Sequence, residues 1–333
     1  MPQIHTAVER EREREKETHN APLVSVIVLT YNQEEFLKQT LDSIVGQNFP
    51  REQVEIVVGE DASSDQTAQI LKDYAARYAN IFAIFNPRNL GIVDNFINVI
   101  NHCRGKYIMG CGGDDYYLPG KIQKQVDFME KNPHVLMCFG NWYCLENGKF
   151  YTEERYTPTE DFESLLYSCN INAPSACWRR AYWQSYLNEI NPQQHHWGFE
   201  DYPLWLYLAQ KGTIKHLDEN FCVYRILQGS ASRPVQNLAK TLKILVDQWQ
   251  VRCLFTQKFL PEKFPQKEQD AIATIFDSAF QMLLQSKYSP YISQIVWQYA
   301  KKKTHLSFKQ KLLVCCAQVP FLWNVLYALL LKK

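Results

Sequence analysis

From Pro22 onward the chain alternates short, continuous apolar runs with longer segments whose apolar residues recur at helical spacing. Val24 to Leu29 is rich in β-branched residues, the pattern of a strand buried on both faces. Glu34 to Val45 follows, apolar at Phe36, Leu37, Leu41, Ile44 and Val45 ahead of Gly46, which predicts a helix. The unit then recurs. Strands are expected over Val54 to Val58, Ile81 to Phe85, Tyr107 to Cys111 and Val135 to Phe139. Helices are expected over Ser64 to Tyr78, Ile92 to Cys103 and Leu118 to Lys131, the last with Pro119 near its first turn. Strands and helices in this alternation predict an α/β fold, a mostly parallel sheet with right-handed crossovers and flanking helices. Ligands of such sheets bind beyond the carboxyl ends of the strands. The segments that follow the first four strands are therefore the informative ones: Thr30-Tyr31-Asn32, Glu60-Asp61, Asn89-Leu90-Gly91 and Gly112-Gly113-Asp114-Asp115.

Beyond about residue 140 the alternation stops. Trp142 to Tyr156 reads as irregular or antiparallel strand, Asp161 to Ser168 as a short helix, and Phe199 to Gln210 as a helix ending at Gly212. From Pro234 glycine vanishes and helices are expected over 236–257, 266–287, 289–303 and 308–331. Three regions result: a charged, disordered leader over 1–21, a catalytic domain over 22–234, and a helical region over 235–333.

Composition narrows the function. The chain has 36 basic and 35 acidic side chains, a formal charge of +1, with 46% hydrophobic and 14% aromatic content. Neither a disordered chain nor a nucleic-acid binder fits these values. The charge is unevenly spread: residues 301–333 hold seven lysines and no acid, leaving 29 basic against 35 acidic groups elsewhere, a net of −6. That tail is basic at both ends and apolar between. It reads either as an interfacial helix on an anionic inner leaflet or as a helix packed on the body or a partner, with a spanning helix as a third choice because Gln318, Pro320 and Asn324 interrupt the run. Ten cysteines without a Cys-x-x-Cys pair read as small hydrophobes in a reducing compartment. Glu9 to Glu17 alternates acid and base where a secretion signal would be apolar, and no Asn-x-Ser/Thr sequon occurs, so a cytoplasmic location is expected.

The strand ends carry the candidate chemistry. Tyr31-Asn32-Gln33-Glu34 has no Gly-x-Gly-x-x-Gly, which disfavours hydride transfer, and Gly113 to Lys121 has the wrong spacing for a P-loop. Asp114-Asp115 after Gly-Gly at a sheet mouth can hold a hard divalent ion, with water and substrate phosphates completing its shell, or can be an exposed acidic turn. Asp61 is an acceptor suited to the imide N–H of uracil or to a helix cap. Glu200-Asp201, among Trp197, Phe199, Tyr202 and Trp205, suits a general base whose pKa is raised by apolar neighbours, or an acidic pair on a helix dipole. Asn172 to Trp183 reads equally as an aromatic sugar platform or as core. Arg179, Arg180 and Arg225 read as phosphate partners or as surface charges.

In their order along residues 22–230, the strings Val24 to Asn32, Glu60 to Asp65, Asn89-Leu90-Gly91, Gly113-Asp114-Asp115 and Glu200-Asp201 resemble the successive signatures of family 2 glycosyltransferases. The resemblance implies a GT-A fold, Rossmann-like, ahead of the α-helical C-terminal region. It implies an inverting transfer from a nucleotide-sugar donor, a UDP-sugar, to a hydroxyl of a glycan or lipid-linked saccharide in cell-surface polysaccharide synthesis. Thr30 and Tyr31 match the motif lining the nucleotide base, and Asn32, Glu34, Asn89 and Gly91 join them at the donor. Asp61 matches the uracil carboxylate, Asp114 lies near the ribose or donor sugar, and Asp115 matches the ligand of Mg²⁺ or Mn²⁺. Asp201 matches the catalytic base, with Glu200 beside it. The family's Tyr-Arg-x-His is Tyr224-Arg225-Ile226-Leu227 here, so its histidine is missing, and neither His195 nor His196 is assigned in its place. The alternatives are a sugar-phosphate nucleotidyltransferase, which would show a Gly-rich basic loop after the first strand, and a non-catalytic sugar-nucleotide-binding protein.

Overall fold

A computed structural model describes residues 22–152, 160–227, 237–285, 289–303 and 305–327. The leader over 1–21, the boundary at Pro234 and the chain end from 328 lie outside them. Contacts group the chain into two compact units, Met1–His196 with Glu200–Ile226, and Trp197–Phe199 with Leu227–Lys333.

The first unit is built on one nine-stranded sheet. Strands β1 (Val24–Thr30), β2 (Val54–Glu60), β3 (Ile81–Phe85) and β4 (Tyr107–Gly112) are parallel, in spatial order β3-β2-β1-β4. Helices α1 (Leu37–Val45), α2 (Thr67–Arg77) and α3 (Ile92–Asn101) form the crossovers. Val26, Ile27 and Val28 on β1 and Ile56, Val57 and Val58 on β2, which alternate between the two faces, are all at most 2% exposed, so both faces of these strands are covered. After the two-residue β5 (Tyr116–Tyr117) and α4 (Lys121–Lys131), the parallel order is interrupted. Strand β8 (Cys177–Arg179) lies antiparallel between β4 and β6 (Val135–Glu146), and β6 pairs in parallel with β9 (Thr213–Arg225).

In this unit several elements differ from the sequence expectation in extent or pairing. Strand β6 runs on to Glu146 and turns through Asn147-Gly148, both at positive φ, into the antiparallel β7 (Lys149–Tyr151), so of the two readings of Trp142 onward the antiparallel strand holds over the described residues, as a tight hairpin of Asn-Gly type. Strand β9 went unanticipated because Lys215, His216, Asp218, Glu219 and Asn220 break any apolar period. Helix α1 starts at Leu37 instead of Glu34, since residues 34–36 form a turn, and α4 starts at Lys121 after the left-handed Gly120. Among the remaining elements of this unit are α5 (Phe162–Tyr167), α6 (Trp183–Ile190) and α7 (Asp201–Lys211).

The second unit contains α8 (Leu238–Phe259), α9 (Phe264–Gln285), α10 (Pro290–Ala300), α11 (Phe308–Cys316) and α12 (Pro320–Leu326), around a core that includes Leu242, Phe276, Val296 and Trp323. The single helix expected over 308–331 is broken before Pro320, whose ring fixes φ and lacks an N–H, so it opens a new helix.

One polar group organises the N-terminal edge of the sheet. The Glu55 carboxylate is buried on β2 and accepts from Ser25 Oγ (2.5 Å), from the amides of Arg104 (2.5 Å) and Gly105 (3.2 Å), and from Arg104 Nε (3.0 Å). Arg104 itself is 60% exposed. Glu55→Ala strands the Ser25 hydroxyl proton and the Arg104 amide, while Gly105 N keeps Ser25 Oγ (2.8 Å); the loss should cost about 3 kcal/mol of stability in denaturant melts, whereas Arg104→Ala should cost under about 1 kcal/mol.

Candidate active site

The parallel register lines up four strand ends. Thr30 stands opposite Glu60, Leu29 opposite Gly112, and Glu60 opposite Phe85. Thr30 O accepts from Asp61 N (3.0 Å) and Leu29 O from Gly113 N (2.9 Å), which ties the segments after β1, β2 and β4 together. Thr30, Tyr31, Asn32, Asp61, Asn89, Gly91, Asp114 and Asp115 all lie in segments that leave this edge.

The loop after β1 is held in an unusual conformation. Asn32 has φ 52°, and its partner loop has Ala62 at φ 59°, both in the left-handed region that costs a non-glycine residue energy. They are clamped to each other: Asn32 N donates to Ser63 Oγ (2.9 Å), and Ser64 N donates to Asn32 Oδ1 (2.8 Å). Tyr31 is 47% exposed at the tip. The Glu34 carboxylate accepts from Gln66 N (2.7 Å) just ahead of α2, and Asp65 accepts from the amide of the first helical residue, Thr67 (2.9 Å). Asp65 is thereby held below the usual carboxylate range, its bonds from Thr67 and Glu34 N outweighing burial.

Asp61 is buried and does not bond to the start of α2. Its Oδ1 accepts from Asn86 Nδ2 (2.9 Å) and Leu90 N (2.8 Å), and its Oδ2 from Gly91 N (3.0 Å), so it fixes the segment that enters α3. Gly91 has φ 83°, open to glycine and strained for other residues, and its amide also reaches Asn89 Oδ1 (3.0 Å). Asn86 extends the network to Asn95 and Asn98.

At the end of β4 the acidic pair is enclosed. Asp115 is 4% exposed, Asp114 somewhat more, and both carboxyls border Gly112, where a Cβ would lie 2.7 Å from Asp114 Oδ1 and 3.2 Å from Asp115 Oδ2. Burial, and for Asp115 also the adjacent Asp114 charge, pushes both carboxyls above their usual range. The pair is positioned by the last strand: Arg225 N donates to Asp115 Oδ1 (2.8 Å), and the Arg225 guanidinium donates to Asp114 O and Gln39 Oε1. That guanidinium lies between the rings of Phe36 (4.9 Å) and Tyr116 (5.0 Å). Arg225 is thus a positioning residue that sequence reasoning read only as a phosphate partner or surface charge.

Two buried acceptors beside the pair have no partner, Thr30 Oγ1 and Gln33 Oε1. A Cβ on Gly113 would meet them at 2.7 and 2.2 Å, so glycine is needed for this close approach. Among the described residues no three His, Cys, Asp or Glu side chains gather as a complete metal cage. Two carboxylates of raised pKa plus unsatisfied oxygens are nonetheless the donor set a hard divalent ion accepts when water and phosphate supply the rest. The residues fit such an ion, with Asp115 Oδ2 the oxygen left open by Arg225.

Glu200 and Asp201 stand at the start of α7. Gly212 turns α7 directly into β9, and α7 packs on β9 and β6. Glu200 is pushed up to about 8, first by burial and then by the Asp201 charge, and burial also raises Asp201, whose Oδ1 accepts from Tyr202 N (2.7 Å). Tyr186 lies buried nearby, its phenol raised by burial and by both carboxylates. Trp197 and Phe199, expected to frame this pair, group with the helical unit.

Three other sequence candidates serve the framework. Trp178 and Trp183 are 1% and 5% exposed and pack together, which makes the proposed sugar platform a core. Arg179 donates to the carbonyls of Val135, Met129 and Asn132, and Arg180 to those of Gly105 and Arg104, all remote from the acidic edge. His195 contacts the Ile190 carbonyl and Gln194.

Comparison with known proteins follows the same lines. Residues 25–189 match the family model described as Glycosyl transferase family 2. An uncharacterized protein of Mycobacterium tuberculosis (strain H37Rv) is 39% identical over 120 residues, 35% of this chain and 34% of that protein, so the match spans about a third of such relatives' length. A Bacillus subtilis protein named as a candidate teichuronic acid biosynthesis glycosyltransferase, TuaG, is 26% identical over 234 residues, 67% of this chain and 86% of that one. Two solved structures share the fold: S. aureus TarS 1-349 in complex with UDP (TM-score 0.54, 16% identity, 92% of this chain and 91% of that chain) and the mannosyltransferase PcManGT from Pyrobaculum calidifontis in complex with GDP-Man and Mn²⁺ (TM-score 0.53, 15% identity, 93% and 88%). With the GT-A sheet, the ordered motifs at its carboxyl edge and the matched family model together, the chain belongs to glycosyl transferase family 2.

Proposed function

We propose that this glycosyltransferase is an inverting enzyme that moves a sugar from a UDP-sugar to a hydroxyl of a glycan or lipid-linked saccharide, in the synthesis of a cell-surface polysaccharide. The observation that carries the reading is the buried Asp114-Asp115 pair facing two unpartnered oxygens at the mouth of a parallel sheet. Complexes of fold relatives with UDP and with GDP-Man and Mn²⁺ support a nucleotide-sugar donor, and the name of TuaG supports the polysaccharide role.

Thr30, Tyr31, Asn32, Glu34, Asp61, Asn89 and Gly91 form the donor wall, with Tyr31 available to lie along the base and Asp61 fixing the loop beside it. Asp115, with Asp114, would hold Mg²⁺ or Mn²⁺, which supplies positive charge against the leaving diphosphate. Burial raises both carboxyls of the Glu200-Asp201 pair, which titrates as a unit, and the ionised Asp201 is the base. Asp201 takes the acceptor proton as the acceptor oxygen bonds the anomeric carbon and the bond from that carbon to the diphosphate breaks. One such displacement inverts the configuration.

The second unit offers a membrane contact. Phe308 and Phe321 are 84% and 74% exposed, and Leu312 and Leu322 lie about half exposed on the same two short helices, with Lys301, Lys302, Lys303, Lys309 and Lys311 nearby in sequence. No helix among the described residues is long and apolar enough to cross a membrane. Interfacial attachment to an anionic inner leaflet uses both features.

Asp115→Ala should abolish chelator-sensitive binding of UDP-sugars, and unchanged binding with and without chelator would refute the metal role. Asp201→Asn should keep donor binding and lower kcat at least about a thousandfold. Because Asp201 must be ionised and its pKa is raised, wild-type kcat should fall as pH drops through that raised value; a rate independent of pH there argues against the base. In flotation with vesicles rich in phosphatidylglycerol, the double variant Phe308→Ser, Phe321→Ser should bind more than tenfold more weakly, each ring contributing about 1.5–3 kcal/mol; equal flotation of both proteins removes the membrane contact.

A further inference from the structure

At the N-terminal edge of the sheet, away from Asp114 and Asp115, the first unit carries a cleft of about 410 Å³. This is the size of a small-ligand site, and the strands between the two edges span roughly 20 Å. Three guanidinium side chains line it: Arg51 from the turn before β2, Arg77 from the last residue of α2, and Arg104 from the loop between α3 and β4. Tyr78 and Phe82 supply aromatic walls. Arg51 Cζ lies 5.9 Å from the Tyr78 ring centroid, and Arg104 Cζ lies 5.6 Å from that of Phe82. A guanidinium stacked on a ring keeps its N–H groups at the periphery of the ring plane for the planar, forked bonds that phosphate oxygens accept, and Arg104, whose Nε is engaged by Glu55, offers its terminal Nη groups.

The acids at the cleft do not cancel these charges. Glu55 is buried and already taken by Arg104, Ser25 and two backbone amides, and Glu52 is exposed at the rim. Among the described residues neither Arg51 nor Arg77 has a carboxylate partner, and both are exposed. Lining charges of three arginines against two glutamates leave the cleft positive.

We propose that this cleft is a second anion site, separate from the donor edge, that takes a phosphate-bearing ligand through Arg51, Arg77 and Arg104. The ligand is either a free phosphate ester or diphosphate, or the headgroup of a phospholipid; both present the same oxyanions. The site is independent of the catalytic reading, since none of its residues belongs to the donor edge.

The test titrates inorganic pyrophosphate into full-length Asp115→Ala protein by calorimetry, with the donor edge disabled. One equivalent should bind, and adding Arg51→Ala and Arg77→Ala should weaken binding at least tenfold with unchanged circular dichroism, because both side chains are exposed. In the wild-type chain, pyrophosphate should slow hydrogen exchange at residues 80–82. Equal affinity in the two proteins, or no protection at 80–82, overturns the site. Competition by monomeric short-chain phosphatidic acid supports the site with a lipid headgroup as its ligand, and pyrophosphate binding without such competition supports it with a free phosphate.

Discussion

Two adjacent carboxylates in a protein interior repel each other and lose hydration, so a fold that keeps them there must supply compensating contacts. Here the contact is the amide of Arg225, which donates to Asp115, while the Arg225 side chain bonds the Asp114 carbonyl and lies between two rings. The rest of the site depends on this clamp. It fixes the acidic turn against Gly112 and Gly113, and the absence of Cβ atoms at those glycines lets Thr30 and Gln33 approach. Asp61 does the equivalent for the neighbouring segment through three bonds to residues 86–91. Two carboxylates of the same edge thus do different physical work, one ordering a loop and the other held above its ordinary pKa.

Much of this was legible in the sequence, for a local reason. Strands β1, β2 and β4 are covered on both faces, so their runs are mostly apolar, and the edge strand β3, with Phe82 and Phe85 partly exposed, is still recovered to the residue over Ile81 to Phe85. The site residues at the parallel edge were equally legible, because the end of a strand is set by where its apolar run stops. Legibility failed where pairing is decided at long range. Strand β9 owes its conformation to β6 and β5, and its charged middle carries no period of its own. The three-residue β8 is too short to show one. Arg179 and Arg180 were ambiguous because their partners are backbone carbonyls, which no side-chain pattern reveals. The Asn147-Gly148 turn was in the sequence and sufficient to mark a hairpin.

The two edges of the sheet use charge in opposite ways. At the carboxyl edge, unsatisfied oxygens and raised carboxyls favour an arriving cation. At the amino edge, stacked guanidiniums around a satisfied Glu55 favour an arriving anion. A parallel sheet buried on both faces separates the two, and its rigidity keeps each set of side chains in place without sharing residues.

The clamp on Asp115 joins positions 110 residues apart. As the chain emerges during synthesis, β1 to β4 and their crossovers can assemble before Arg225 exists. The acidic turn then waits, unsupported, until the last strand threads beside β6 and delivers its amide. Completion of the sheet and maturation of the acidic edge are therefore a single event, and a chain cut short before that strand would carry the family's signatures without the geometry they describe.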